Sequence, residues 1–240
     1  MVKKYKYVFL SRPRRFGKSL LSSTLRSYFE GKKELFNGLA IETLENEWIE
    51  YPVLHFDLST FKNCELSLFP EKFDMQLRKF EKQFGIENTK KSAGNRLTQL
   101  IEEAEVKTGK KVVVIIDEYD APLLDVLHDE IKLEAVRTIM QEFYAPIKAN
   151  SSHIHFAFIT GITKFSQLSI FSTINNLTNI SMDPEFSTIC GITKNELDAV
   201  LKEDIAVLAS KNHVSFERMR ELLRENYDGY HFSREGEDIF

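Results

Sequence analysis

Val112 to Ile116 form an unbroken run of β-branched side chains that stops abruptly at Asp117-Glu118. β-branched residues pack well on a pleated surface, and a run with no polar alternation suits a strand covered on both faces. Strands of that kind belong to parallel sheets, where the crossover helices lie over both faces. The remaining elements come in the matching order. Tyr5 to Ser11 reads as a first strand. Ser19 to Glu30 follows as a helix, with Leu20, Leu21, Leu25, Tyr28 and Phe29 at helical spacing and Gly31 as its stop. Val53 to Leu58 is a second strand, entered through Pro52. Phe69, Phe73, Leu77, Phe80 and Phe84 make one stripe on a long helix, the usual mark of a core-facing side. Leu97, Leu100, Ile101 and Ala104 mark another helix, closed by Gly109. Glu130 to Ala149 is a further helix, expected to bend at Pro146. His155 to Thr160 is the next strand, and Asn179 to Met182 a short fifth. This alternation predicts a right-handed parallel α/β sheet.

After Pro184 the pattern becomes helical. Thr193-Lys194-Asn195-Glu196 is a capping box opening a helix through Leu197, Val200, Leu201, Ile205 and Leu208. Ser215 caps a second helix through Met219, Leu222 and Leu223, and Asp228-Gly229 makes a turn. The expected division is an α/β core over residues 1–184 and a small helical lid over 185–240. No apolar run comes near the roughly 18 residues of a membrane span. A formal net charge of −4 gives no support to direct nucleic-acid binding. Cys64 and Cys190 sit in no metal-binding or redox pattern and read as reduced thiols of a cytoplasmic protein.

The chemistry concentrates between the first strand and the first helix. Arg12-Pro13-Arg14-Arg15-Phe16-Gly17-Lys18-Ser19 fits the phosphate-loop pattern G-x-x-x-x-G-K-[ST] except at its first position, where Arg12 replaces glycine. Such a loop works by aiming backbone N–H groups at phosphate oxygens from a helix N-terminus. Arg12 precedes proline and is held extended, and Pro13 has no N–H, so the donors have to come from the later part of the loop. The residues expected on a nucleotide are Arg14, Arg15, Phe16, Gly17, Lys18, Ser19 and Leu20. Gly17 lets the backbone approach, the Lys18 ammonium reaches the phosphates, and the Ser19 hydroxyl ligates Mg²⁺. A basic surface turn would match the tripeptide by chance, but its placement between a strand and a helix favours the phosphate role.

Asp117 and Glu118 are the matching second motif. An acidic residue at the end of a buried strand can hold Mg²⁺, and a following glutamate can polarise the attacking water. Glu118 is therefore the candidate base and Asp117 the candidate metal residue, with Asp120 near enough to share the base role. Thr160, at the tip of the next strand, is either a γ-phosphate contact or a small residue before the Gly161 turn. Asp57 is a kinase-like base, a polar contact or a strand terminus. Nothing in the spacing aims Arg137 or Lys148 at a phosphate, and His153, His155 and His231 lack metal-ligand spacing.

The segments YVFLSRPRRFGKSLLSSTL, VVVIIDEYDAPL, FAFITGITKFSQLSIFSTINNLTNISMDPEF, CGITKNEL and YDGYHF resemble the bacterial AAA-ATPase-like, or predicted AAA-ATPase, family across nearly the whole chain. RPRRFGKS and TGITKFS are specific to it, which makes Arg12 the family's form of the loop. The resemblance implies a P-loop ATPase core of the ASCE type with sheet order 5-1-4-3-2 and a helical lid. It implies ATP and Mg²⁺ as ligands, with phosphate-loop roles for Gly17, Lys18 and Ser19 and acidic-motif roles for Asp117 and Glu118. Family members commonly continue into a C-terminal domain resembling PD-(D/E)XK nucleases and begin with a YVDKT-type segment, neither of which is in this chain. That implies a nuclease-like domain or a separate protein as partner.

Three functions fit these residues: an ATP-hydrolysing regulatory module, a nucleotide-gated switch with little turnover that acts with a nucleic-acid-processing partner, and a small-molecule kinase using Asp57. In related ATPases the segment before the first strand packs beside adenine, and only a few residues precede it here. Phosphate contacts are therefore expected to dominate, with ATP and GTP binding within about tenfold of each other. Calorimetric titration with both nucleotides measures this; a hundredfold preference for ATP would contradict it.

Overall fold

The computed structural model describes residues 1–163, 177–227, 230–233 and 239. They group into two units: Met1–Arg14 with Lys18–Thr178, and Arg15–Gly17 with Asn179–Phe240. The elements of the first unit are β1 (Tyr7–Ser11), α1 (Lys18–Phe29), the short α2 (Ile41–Leu44), β2 (Val53–Asp57), α3 (Phe69–Phe84), α4 (Ala93–Thr108), β3 (Val112–Asp117), the short α5 (Ala121–Leu124), α6 (Glu130–Ala149) and β4 (Ile154–Gly161). With β5 (Thr178–Asn179) they form one sheet in the order β2-β3-β4-β1-β5, the expected 5-1-4-3-2 counted from the other edge. The β1–β4, β3–β4 and β2–β3 pairs are all parallel, as the alternation required.

Every residue of β3 is buried, the outcome its β-branched run demands. Alternation along the strands sorts side chains between two faces. Phe56 of β2, Val114 and Ile116 of β3, Ala157 and Ile159 of β4 and Phe9 of β1 join a core built with Phe73, Leu77, Leu97, Leu100, Met140 and Phe143 of α3, α4 and α6. Phe143 lies edge-on to Phe56 at 5.2 Å and 4.4 Å from Phe73, so the stripe on α3 is core, as read. The opposite face meets α1, with Phe29 5.2 Å from Phe156. By alternation, Asp57, Asp117 and Thr160 all fall on this α1 face. Asp57 pairs with Asp117 in register, so the sheet delivers polar side chains to one edge, beside the N-terminus of α1.

Helix ends follow local chemistry. Ser92 caps α4 by accepting from the Asn95 N–H, and Asp129 caps α6 through the Lys132 N–H. α6 runs on through Pro146 to Ala149. Arg96 of α4 is buried yet satisfied, with a bidentate pair to Glu81 (2.9 and 2.7 Å) and a 2.6 Å bond to Asp74, both on α3. β5 is shorter than its apolar pattern suggested. The Asn179 side chain accepts from the Ser181 N–H at 3.0 Å, and this turn ends the strand.

The second unit contains α7 (Lys194–Ala199), α8 (Lys202–Lys211) and α9 (Phe216–Tyr227) around Leu197, Ile205, Ala209 and Met219. The Thr193/Glu196 capping box is present. The single helix expected through Leu197 and Leu208 is instead two, parted at Val200-Leu201. Glu203 and Asp204 fill the first turn of α8, where carboxylates favour a new helix start. Within this unit Phe16 packs edge-on against Tyr230 (4.7 Å) and Phe232 (5.6 Å), and its carbonyl accepts from the Gly191 N–H. The Asp228-Gly229 turn lies outside the described residues.

The aromatic packing between α3, α6 and β2 carries a prediction. Phe143→Ala should cost about 3–5 kcal/mol of stability, from lost transfer energy and the cavity left behind. Urea unfolding measures it; a loss below about 1 kcal/mol would mean the Phe143 site collapses or is not core.

Candidate functional site

Arg12 continues the β1 ladder, its N–H donating to the Gly161 carbonyl at 3.2 Å. Its side chain is buried, and Nη1 donates to the Ser11 carbonyl at 3.0 Å, so this arginine is part of the scaffold. Lys18 opens α1 and is 5% exposed. Its Nζ donates to the carbonyls of Arg12 (3.0 Å) and Pro13 (2.8 Å), tying the start of the loop to its end. Arg14 and Arg15 are exposed, so their charge faces solvent where an anion can reach it. Arg15 has φ 69° and Gly17 φ 83°, the left-handed region that glycine adopts freely and arginine does not. A Cβ on Gly17 would meet nothing within 4 Å, so backbone conformation, not crowding, requires glycine there. Leu20 points outward, 71% exposed, leaving only its backbone available for a loop ligand. Phe16 was expected on the nucleotide, but its ring is used in the aromatic packing of the second unit; only its backbone N–H remains for that role.

Ser19 and Asp117 are brought near one another, at the start of α1 and the end of β3, close enough for the Ser19 hydroxyl to favour the ionised carboxylate. Asp117 is 4% exposed. Burial pushes its carboxyl above the ordinary value, and the Ser19 hydroxyl offsets part of that. The Glu118 N–H donates to Asp117 Oδ1 at 3.0 Å. Burial and then the Asp117 charge push the Glu118 carboxyl up as well, while Lys18 and Lys62 pull it down. Glu118 has φ 52°, a strained conformation for a side chain of its size and a recurrent feature of functional sites.

Thr160 is fully buried at the tip of β4, and its Oγ1 has no hydrogen-bond partner among the described residues. Asp57 Oδ1 accepts from the Ser59 N–H at 2.9 Å, capping a short turn, which is the strand-terminus reading. Its charge also contributes to the upward shifts of Asp117 and Glu118. Asp120 is not placed to be a base. It is fully buried, and its Oδ2 accepts from the N–H groups of Ile162 (2.9 Å) and Thr163 (2.6 Å) and from the Thr163 hydroxyl (2.7 Å). This clamp escaped sequence reasoning. Its one trace was Gly161, where any Cβ would strike the Tyr119 ring and Asp120 Oδ1. Arg137 pairs with Glu134, His153 with Glu105, and His155 stacks on Tyr51.

The donor set fits Mg²⁺. A hydroxyl and a carboxylate are hard oxygen ligands, and Mg²⁺ takes only one or two of these beside water and phosphate. Among the described residues no three His, Cys, Asp or Glu side chains gather into a metal cage, so the pair would be completed by phosphate oxygens and water. A cleft of about 600 Å³ opens beside Pro52, Val53 and Lys110, and one of about 350 Å³ beside Tyr28, Tyr51 and His155. Both lie at the other end of the strands and touch none of these residues.

A family model described as predicted AAA-ATPase matches residues 1–171. An uncharacterized protein in the vnfD 5' region of Azotobacter chroococcum mcd 1 is 34% identical over 229 residues, covering 95% of this chain and 42% of that protein. The chain therefore spans less than half the length of that relative. No helix among the described residues is long and apolar enough to cross a membrane.

The raised Asp117 carboxyl sets a pH dependence. The unfolded carboxyl ionises near pH ~4, before the folded one, so stability is full below that pH and falls until the folded group has ionised. Asp117→Asn removes the titration and keeps an acceptor for Ser19. In thermal melts without ligand, the variant should melt above the parent at neutral pH, with the gap closing towards pH ~4. A gap independent of pH would show that the Asp117 charge is not penalised.

Proposed function

The chain belongs to the predicted AAA-ATPase family, and from that premise we propose that it binds Mg-ATP on the Arg12–Ser19 loop and hydrolyses it as a regulatory module. The observation that carries the reading is the placing of Ser19, at the end of the loop, near the Asp117 carboxylate at the end of the acidic strand. Ser19 and Asp117 would hold Mg²⁺, which when bound neutralises charge on the phosphate oxygens. Lys18, at the head of α1, supplies a cation to the same place, and the N–H groups of the loop's second half supply donors. Arg14 and Arg15 add exposed positive charge. Glu118 takes the proton of the attacking water. Its upward shift brings it nearer the operating pH and makes it a stronger base than an ordinary glutamate. The engagement of Asp57 as a turn cap favours water over a bound hydroxyl as the acceptor. In this reading residues 1–184 carry the chemistry, and 185–240 form a lid that passes the nucleotide state to a protein partner or nuclease-like domain in the cytoplasm.

Mg-ATP at a hundredfold excess over its dissociation constant should stabilise the protein by about 2–3 kcal/mol through mass action. Lys18→Ala should remove most of that shift. Glu118→Gln keeps the shape and loses the base, so it should bind ATP as before and hydrolyse it roughly 10²-fold more slowly. Thermal shift and steady-state phosphate release read the two effects. An undiminished ATP shift in Lys18→Ala would refute the loop assignment, and normal turnover in Glu118→Gln would refute the base.

A further inference from the structure

We propose that Lys62 is a catalytic residue of this site, a cation carried on the loop after β2 that reaches the terminal phosphate from the side opposite Lys18. The inference rests on the nucleotide reading above and adds to it a group that serves turnover more than binding.

The place of Lys62 follows from contacts at both ends of residues 57–63. β2 is the edge strand beside β3, with Asp57 in register with Asp117. The chain then turns at once: Asp57 Oδ1 accepts from the Ser59 N–H at 2.9 Å, and the Lys62 N–H donates to the Ser59 carbonyl at 3.1 Å. The next N–H, from Asn63, donates to the Asp125 carboxylate at the end of α5. α5 begins at Ala121, whose N–H donates to the Glu118 carbonyl at 2.9 Å. The loop is thus laced at its two ends to residues 117–125, which brings Lys62 alongside Glu118. In keeping with that, the charge of Lys62 favours the ionised form of the Glu118 carboxyl, as the charge of Lys18 does. The Lys18 ammonium is held by the carbonyls of Arg12 and Pro13 beyond β1, and β1 and β2 lie on opposite sides of β3.

The backbone around Lys62 is fixed, and its ammonium is not used to fix it. Phe61, just before it, is buried against Phe69 (5.0 Å) and Phe73 (4.6 Å) of α3. Asn63, just after it, holds a left-handed φ of 52°, which persists only where the surroundings dictate it. Two side chains of α3 fasten the turn: Lys72 Nζ donates to the Thr60 carbonyl at 2.6 Å, and Gln76 Nε2 to the Asp57 carbonyl at 2.8 Å. Lys72 therefore does the scaffolding. Lys62 is half-buried, and among the described residues no hydrogen bond or ion pair engages its Nζ. Asp57 and Asp125, the carboxylates at the two ends of the loop, bind backbone N–H groups instead. A cation on a fixed stalk, beside the residue that takes the proton of water, is placed for the charge that spreads over the phosphoryl oxygens in the transition state. In that step the water oxygen bonds to phosphorus, and the bond to the bridging oxygen breaks with its electron pair left on ADP. Glu118 takes the water proton, and Lys62 contributes charge alone, from the β2 side, as Lys18 does from the β1 side.

The test is calorimetric titration of the full chain with Mg-ATP, with Mg-ADP, and with Mg-ADP plus aluminium fluoride, whose complex takes the place of the transferring phosphoryl group. The aluminium fluoride titration requires no turnover. The parent should bind Mg-ADP more tightly with aluminium fluoride than without it, because a transition-state mimic uses contacts that the ground state does not. Lys62→Ala should cut that gain by about tenfold or more, while its affinities for Mg-ATP and Mg-ADP stay within about threefold of the parent. In steady-state phosphate release its kcat should fall about 10²-fold with KM little changed, the pattern of an interaction made in the transition state. Lys62→Arg, which keeps the charge, should retain most of the gain. Lys62→Gln, which keeps a long polar side chain and removes the charge, should behave as Lys62→Ala does, and it decides the matter should the alanine disturb the loop. No gain from aluminium fluoride in the parent, an undiminished gain in Lys62→Gln, or equal losses for all three ligands would each overturn the inference while leaving nucleotide binding standing. A parent that binds neither nucleotide would overturn the nucleotide reading itself.

Discussion

The site depends on one costly arrangement, the Asp117 carboxylate at the end of a strand buried on both faces. β3 can occupy the middle of the sheet because Val112 to Ile116 expose nothing polar, and the same burial leaves Asp117 little water. The nearby Ser19 hydroxyl offsets part of that cost, from the start of α1 beside the end of β3. Core packing, through α3, α4 and α6 on one face, and site geometry, through α1 on the other, are therefore two consequences of one strand. A change that let water reach the Val112–Asp117 strand would relax the carboxyl.

Much of this was legible in the residues because local and long-range signals agreed. The Phe69-to-Phe84 stripe, the Thr193 cap, and the run ending in Asp117 each state one thing at two levels: a local propensity and a face to be buried. The sheet order came from the family resemblance, and the parallel pairs of β1 to β4 follow from the helices between them. Elements held by one weak signal differ in their bounds. The fifth strand expected over Asn179 to Met182 is Thr178–Asn179, because the Asn179 side chain takes the Ser181 N–H into a turn. Leu197 to Leu208 has helical spacing throughout, and the break at Val200-Leu201 contains neither glycine nor proline to announce it.

The candidate site is legible where a motif asks for a residue type and opaque where only a position matters. Lys18, Ser19, Asp117 and Glu118 stand out as candidates by residue type and spacing alone. The roles of Arg12 and Asp120 are relational. Arg12 departs from the glycine pattern, and only the structure shows that its N–H extends the ladder to Gly161 while its side chain is buried. Asp120 looks like a spare carboxylate until Ile162 and Thr163, some forty residues away, close upon it. No pattern within a strand or helix encodes such a pairing, because it depends on which strands become neighbours.

Glu118 shows why these supports are needed. Its left-handed backbone costs on the order of 1–3 kcal/mol and persists only where the surroundings dictate it. Here they do so from both sides: the Glu118 N–H is taken by Asp117 Oδ1, and the next N–H, from Tyr119, by the Thr160 carbonyl. Tyr119 is held in turn, as Tyr144 donates from α6 to its carbonyl and its own hydroxyl reaches Thr163. The strained residue is thus gripped through its neighbours, with its own carboxylate left unengaged. Asp120, two residues on, spends its carboxylate instead on the N–H groups of Ile162 and Thr163.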